Sequence, residues 1–390
     1  MTFFSELAEQ IRKNIQTYAI ILALIAIWIF FAAVTGGSYM SSQNFSNLFR
    51  QMTVRSFLAI GMVFVFVTGN VDLSVGKAAG FVSVVAAYFQ AEIWYALIPD
   101  QPYLAAALSV GIGLLVGTLF GLVQGYLVAM LNIPSFIVTL GGLFVGRGGI
   151  LLVTQGKTIP ANQPGFSFIA QGYLPQYGGW IVAALAVAFL FLNTFSTRRR
   201  KQEYGFELRS LYLDLFMTLF FSILVVVYVY VVNKYQGIQT PVLLLAVATL
   251  IMAYISDNTR FGRYAYAIGG NREAARLSGI NIRKNILSVM TLMGFLSGVA
   301  GIVLASYVGY GTIAAGEGYE LDAIAAAILG GTSTLGGEGT VLGAIIGALI
   351  MTSLTNGLQV VNVQPSWQYI LKGAILILAV YADVQFKKRR

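Results

Sequence analysis

The sequence predicts an all-α protein, a polytopic transmembrane bundle of about ten to twelve helices with broken or re-entrant segments. Three observations lead there. Only 10% of the 390 residues are charged while 57% are hydrophobic, too little polar surface to cover a soluble globule. Mean hydropathy is +0.78 with 43 glycines, which excludes a disordered chain as well. Apolar stretches near the roughly 20 residues that cross ~30 Å of hydrocarbon recur along the whole chain.

In order, these stretches fall at 17–35, 54–70, 75–91, 103–131, 135–153, 180–195, 211–232, 241–256, 286–308, 320–335, 340–360 and 368–382, about twelve crossings. The first runs from about Tyr18 to Val34. It exceeds the roughly 7–15 apolar residues of a signal peptide and precedes no small-x-small cleavage site, so a retained span is expected. The stretches 54–70, 75–91 and 320–335 are short or glycine-interrupted, hence candidates for broken helices. Gly117, Gly121 and Gly125, then Gly294, Gly298 and Gly301, then Gly343 and Gly347 lie on single helix faces, the spacing that lets backbones approach closely in lipid. VDLSVG at 71–76 and LDAIAA at 321–326 hint at an internal repeat.

With the N-terminus in the cytoplasm, twelve alternating crossings place 17 of the 24 Lys and Arg inside. They are Arg12 and Lys13; Arg198–Lys201 and Arg209; Arg260, Arg263, Arg272, Arg276, Arg283 and Lys284; and Lys387–Arg390. The positive-inside rule then puts both termini in the cytoplasm, with Arg50, Arg55, Lys157 and Lys234 in or beside outside loops. The same rule accounts for the pI of about 9.6 without nucleic acid. The loop 309–320, GYGTIAAGEGYE, carries Glu317 and Glu320 and no basic residue. Such an acidic outer rim docks a soluble partner or is simply solvated.

The chain has no cysteine and no histidine, so thiol chemistry, Ser-His catalysis and zinc hydrolysis are closed off. No metal site, cofactor or catalytic residue is expected. Asp72, within Gly69–Gly76, is an acid at or near membrane depth, where acids are costly and mark pathways. With Asn70 and Ser74 it marks either a helix break lining a cavity or a helix cap accepting N–H bonds from Ser74 and Val75. Asp322 follows Glu320 by two residues, so the two carboxylates do not share a helix face; a helix N-cap is expected for Asp322. The inside segment 257–285 contains a compact helix: Asn271 as N-cap, Glu273 in the first turn, Ala274 and Ala275 propagating, and Gly279 at the left-handed end. About two turns cannot persist alone in water, so this helix packs on its own protein or on a cytosolic partner. The nucleotide-cradling G-x-x-x-x-G-K-[ST] is absent, since Gly156-Lys157-Thr158 is preceded by Leu151 at the first glycine position. If ATP drives the protein, another subunit hydrolyses it.

VDLSVG at 71–76, IPSFIVTLGGL at 133–143, FGRYAYAIGGNREAARLSGIN at 261–281, ELDAIAAAILGGTSTLGGEGTVLGAIIGAL at 320–349 and WQYILKGAILILAV at 367–380 together resemble permease subunits of bacterial ABC importers for monosaccharides, the ribose, galactose, arabinose and xylose group. Glu273, Ala274, Ala275 and Gly279 match that class's E-A-A-x-x-x-G coupling motif. The extra pair of helices around the basic loop 196–210 is similar to xylose-type and some multiple-sugar permeases. One departure is Asn70 and Val71 before the DLSVG run and Lys77 after it, where many relatives carry Gly-Ile and Ser. The resemblance implies a single permease domain over 1–390 in the bacterial inner membrane, a second permease copy, a cytoplasmic ATPase and an extracytoplasmic sugar-binding protein. The alternative is an ion-coupled secondary transporter in which Asp72, Glu320 and Asp322 carry protons or sodium.

Overall fold

The computed structural model describes residues 15–206 and 210–388; Arg12, Lys13, Arg209, Arg389 and Arg390 lie outside them. The described chain is helical almost throughout. The long helices are α1 (Ile15–Val34), α2 (Ser42–Val67), α3 (Val75–Leu97, its last third passing through a π turn), α4 (Pro102–Ala129) and α5 (Ser135–Thr154). After a short helix α6 (Pro164–Gln171) follow α7 (Gln176–Glu203), α8 (Leu211–Asn233) and α9 (Thr240–Asn258). Next come α10 (Arg260–Gly270) and α11 (Arg272–Leu277), and then α12 (Ile282–Val308). The last three are α13 (Tyr319–Leu329), α14 (Val341–Val360) and α15 (Pro365–Lys388). Ten of these are long and apolar enough to cross a membrane. With α1 and the crossing that contains α13 they make the expected alternation.

Two expectations about helix breaks are corrected. Residues 54–67 of the first stretch belong to α2, an unbroken helix of 26 residues that starts well before it, where the Ser41 hydroxyl caps it by accepting from the Asn44 N–H. The polar turns from Ser42 to Gln51 therefore extend the apolar run toward the membrane surface. The stretch 75–91 likewise continues to Leu97. Only 320–335 is truly short: α13 has 11 residues, roughly 16 Å of rise.

Loop contacts sort the connections onto two faces. On one, strand β1 (Ile159–Pro160) pairs with β2 (Tyr310–Gly311), the Leu174 N–H donates to the Ile238 carbonyl at 2.8 Å, and Tyr39 donates to the Ser353 carbonyl in the second half of α14. On the other, the Gly337 N–H donates to the Val67 carbonyl, the Tyr266 hydroxyl to Gly339, and Thr334 to Asp383 near the end of α15. The start of α1, the end of α15 and the α10–α11 segment share this second face.

The core is built around α2 and α12, with α3, α4, α13 and α14 packed on them. The glycine rows act as the sequence predicts. A Cβ on Gly121 would stand 2.4 Å from the Met290 carbonyl oxygen, and one on Gly294 would stand 2.3 Å from that of Gly117. Backbone contact between α4 and α12 thus replaces the side-chain packing that lipid cannot drive.

Candidate functional site

The crossing that contains α13 is discontinuous. From Gly309 the chain does not project as a loop. It descends along α3, with Gly311 against Val84, Ala315 against Gly80 and Gly316 against Gly76. This stretch is a chain of tight turns, with Ala315 N–H to Thr312 and Glu317 N–H to Ala314. Gly316 has φ +68°, and a Cβ there would lie 1.9 Å from the Gly76 carbonyl oxygen. Only glycine permits both the left-handed turn and the contact. Helix α13 therefore begins deep in the bundle, near Arg55, the fourteenth residue of α2. The expected outer rim is corrected accordingly. Glu317 is half exposed and pairs with the buried ammonium of Lys77, whereas Glu320 is folded against Gly76 with Oε2 buried. The departure at Lys77 thus has its partner in this descending segment.

Asp322 is not an N-cap; Gly318 holds that position. Asp322 sits one turn inside α13, fully buried, with Arg55 Nε at 2.7 Å and Lys372 Nζ at 2.9 Å. The first turn of a helix favours a carboxylate electrostatically, and two cations from α2 and α15 complete the shell. Arg55 also lies over the Tyr319 ring, 5.1 Å from its centroid. Arg55 is thus inside a spanning helix and not beside an outside loop. The signal in the sequence was a lone cation in each of two apolar spans, Arg55 and Lys372, which in a membrane demands a buried partner.

Above this triad opens a polar cavity of about 440 Å³, whose lining includes Tyr319, Gln359, Gln368, Tyr369 and Lys372. A second of about 210 Å³, reaching Gln51 and Tyr307, shares Arg55, Tyr319 and Gln359 with it. The lining offers amide and phenol groups that both donate and accept, and aromatic faces. Such a surface suits a neutral, many-hydroxyl solute. Among the described residues no cluster could hold a metal ion.

The segment 68–74 between α2 and α3 is the predicted break. Asn70 donates to the Thr68 hydroxyl at 3.0 Å, and Gly69 is left-handed. Asp72 is buried and accepts from the Ser74 N–H (2.8 Å) and hydroxyl (2.6 Å), but not from Val75. Ser74 in turn meets the Gln124 amide at 2.9 Å. Burial pushes the Asp72 carboxyl up to about 6, partly offset by the Ser74 bonds. Asp72 and Asp322 therefore play different parts, and the hinted repeat has no common geometry.

Helix α11 forms as expected but shorter, six residues. The Asn271 amide oxygen accepts from Ala274 N–H at 2.9 Å. Glu273 pairs with Arg276, which holds its carboxyl below the usual range. Gly279 (φ +80°) closes the helix as the Ile280 N–H donates to the Ala275 carbonyl. Ala275 is buried on the chain itself, while Glu273, Ala274 and Leu277 are exposed. A Cβ on Gly279 would meet nothing within 4 Å.

Residues 44–380 match the family described as branched-chain amino acid transport system / permease component. The chain is 41% identical to the xylose transport system permease protein of Haemophilus influenzae, over 96% of this chain and 98% of that one. It is 33% identical to the galactose/methyl galactoside import permease protein of Escherichia coli, over 94% and 92%. It is 32% identical to the ribose import permease protein of Escherichia coli, over 93% and 92%. No solved structure matches. A discontinuous crossing under a polar cavity, in a helical chain related end to end to these proteins, leads to one conclusion: this protein belongs to the branched-chain amino acid transport system / permease component family, as a multi-span membrane permease.

Proposed function

We propose that this chain is the membrane-spanning subunit of an ATP-driven monosaccharide importer, with xylose as the sugar. The observation that carries this is identity of 41% over nearly the full length of xylose permeases from two bacteria. The cavity supports it, because its amides and phenols match a ring of hydroxyls while its charges are satisfied within the triad.

Three partners follow. The face with α11 is cytoplasmic, since Arg198–Lys201, Arg260, Arg263, Arg272, Arg276, Arg283 and Lys284 gather there. Helix α11 leaves Glu273, Ala274 and Leu277 uncovered, and a cytoplasmic ATPase supplies the burial that six residues lack. A soluble sugar-binding protein docks on the opposite face, as the relatedness to sugar-importer permeases supports. The descending segment is exposed at Tyr310, Ile313 and Glu317. Irregular backbone does not face lipid, so a second copy of the chain covers it and the path runs between the copies. The assembly resides in the bacterial inner membrane, with both termini cytoplasmic.

The test is purification with its co-expressed ATPase and binding protein, then uptake in proteoliposomes. ATP-dependent uptake of xylose, with ribose weaker and leucine absent, is expected. Leucine uptake would replace the sugar reading with the amino acid one. Glu273→Lys is expected to leave the protein in the membrane but reduce ATPase pull-down and uptake together; normal assembly and uptake would remove the coupling role.

A further inference from the structure

The hairpin of α7 and α8 packs chiefly on itself and touches the bundle mainly through α2. Near its α11-side end a cleft of about 290 Å³ separates the two helices. Its walls differ along their length. Leu190, Met217 and Phe221 line one end, Arg198 and Lys201 the other, and a Thr194–Thr218 hydroxyl contact at 2.8 Å bridges the helices between.

Depth gives this gradient a meaning. From Trp180, near the opposite surface, to Arg198 the helix rises roughly 27 Å, close to the ~30 Å hydrocarbon thickness. Arg198 therefore lies at the boundary and Lys201 about a turn beyond it. Exposed Tyr204, Phe206 and Tyr212 stand at the same level, as aromatic side chains do at headgroup depth. The apolar end of the cleft then lies among acyl chains.

Charge narrows the occupant. Arg198 pairs with Asp214, the one acid among the described lining residues, and Lys201 adds a second cation that pairs with no acid among the described residues. Arg199, paired with Glu203 at 3.0 Å, and Arg200 follow on the same helix turn. The net charge facing the headgroup layer is positive, the middle of the slot carries Asn193, Thr194, Thr197 and Thr218, and its far end at Leu190, Met217 and Phe221 is apolar. We propose that this cleft binds a glycerophospholipid with an anionic headgroup: the phosphate at Arg198 and Lys201, an acyl chain along Leu190, Met217 and Phe221. A soluble anion brings no acyl chain for the apolar end, and a zwitterionic headgroup sets its own cation beside Arg198 and Lys201.

The experiment uses the purified importer complex in phosphatidylcholine nanodiscs doped with photoactivatable phosphatidylglycerol or photoactivatable phosphatidylcholine. Crosslinks are mapped by mass spectrometry. Phosphatidylglycerol is expected to label peptides within 190–221 about fivefold more than phosphatidylcholine, the order of effect of one basic side chain at the surface. Lys201→Glu is expected to remove that preference. Asp214→Asn is expected to raise phosphatidylglycerol labelling severalfold, because it removes the negative charge that lines the cleft beside Arg198. Retained melting temperature and ATPase pull-down exclude misfolding in either variant. Equal labelling by both lipids, or indifference to both substitutions in folded protein, would overturn the proposal. So would loss of labelling on adding inorganic phosphate, which would assign a soluble anion to the cleft.

Discussion

At the scale of single residues, the triad is where one atom group decides most. Asp322 is the shared counter-charge of Arg55 and Lys372, all three withdrawn from water. Removing one partner of a buried charge set costs ~3–5 kcal/mol, because the survivors remain buried and unpaired. Asp322→Ala is therefore expected to lower the melting temperature in detergent sharply. Adding Lys372→Met should restore part of the loss; a double variant no more stable than the single would refute the pairing. Asp72 behaves differently. Burial raises its carboxyl to about 6, so the folded chain takes up a proton that the unfolded chain does not hold between pH ~4 and ~6. Wild-type stability then falls as pH rises through that window, by at most about 3 kcal/mol. Asp72→Asn keeps the acceptor for Ser74 and lacks the charge. It is expected to be more stable than wild type at pH 7.5, with the difference vanishing toward pH 4. A difference that is constant across a thermal-melt series would rule this out. In transport, Asp72→Asn should stay active.

At the scale of elements, two glycines with similar dihedrals carry different loads. Gly279 ends α11 in open space. Gly279→Ala is therefore expected to cost only the left-handed penalty of ~1–2 kcal/mol, confined to the helix end. The bulk clash that a larger residue would make has no partner on the chain itself. Gly316 turns the descending segment against Gly76, and a Cβ would overlap that carbonyl. Gly316→Ala should prevent the α3–segment contact and abolish folded, monodisperse protein in size-exclusion chromatography. Comparable yields for the two variants would contradict the close approach. Helix α11 itself was legible residue by residue, because a cap, a first-turn acid and a terminal glycine are local signals. The descending segment was not: GYGTIAAGEGYE reads as an exposed loop by composition, and only its contact with α3 withdraws Glu320.

At the scale of the whole molecule, alternation puts the start of α1 and the end of α15 on the α11 face. Reporter fusions at Arg390 and within 155–163 are expected on opposite sides of the membrane; both on one side would break the topology. The sequence by itself determined the class, the near-complete set of spans, the glycine-packed helix pair and the short capped helix α11. All of these rest on composition, period or neighbours within about four residues. Tertiary structure alone decided where the acids go. Arg55, Asp322 and Lys372 lie hundreds of residues apart or on different helices, and no periodicity links them. They meet because a charge in hydrocarbon must find its counter-charge wherever the fold brings one, and the broken crossing brings Asp322 to the middle of the bundle.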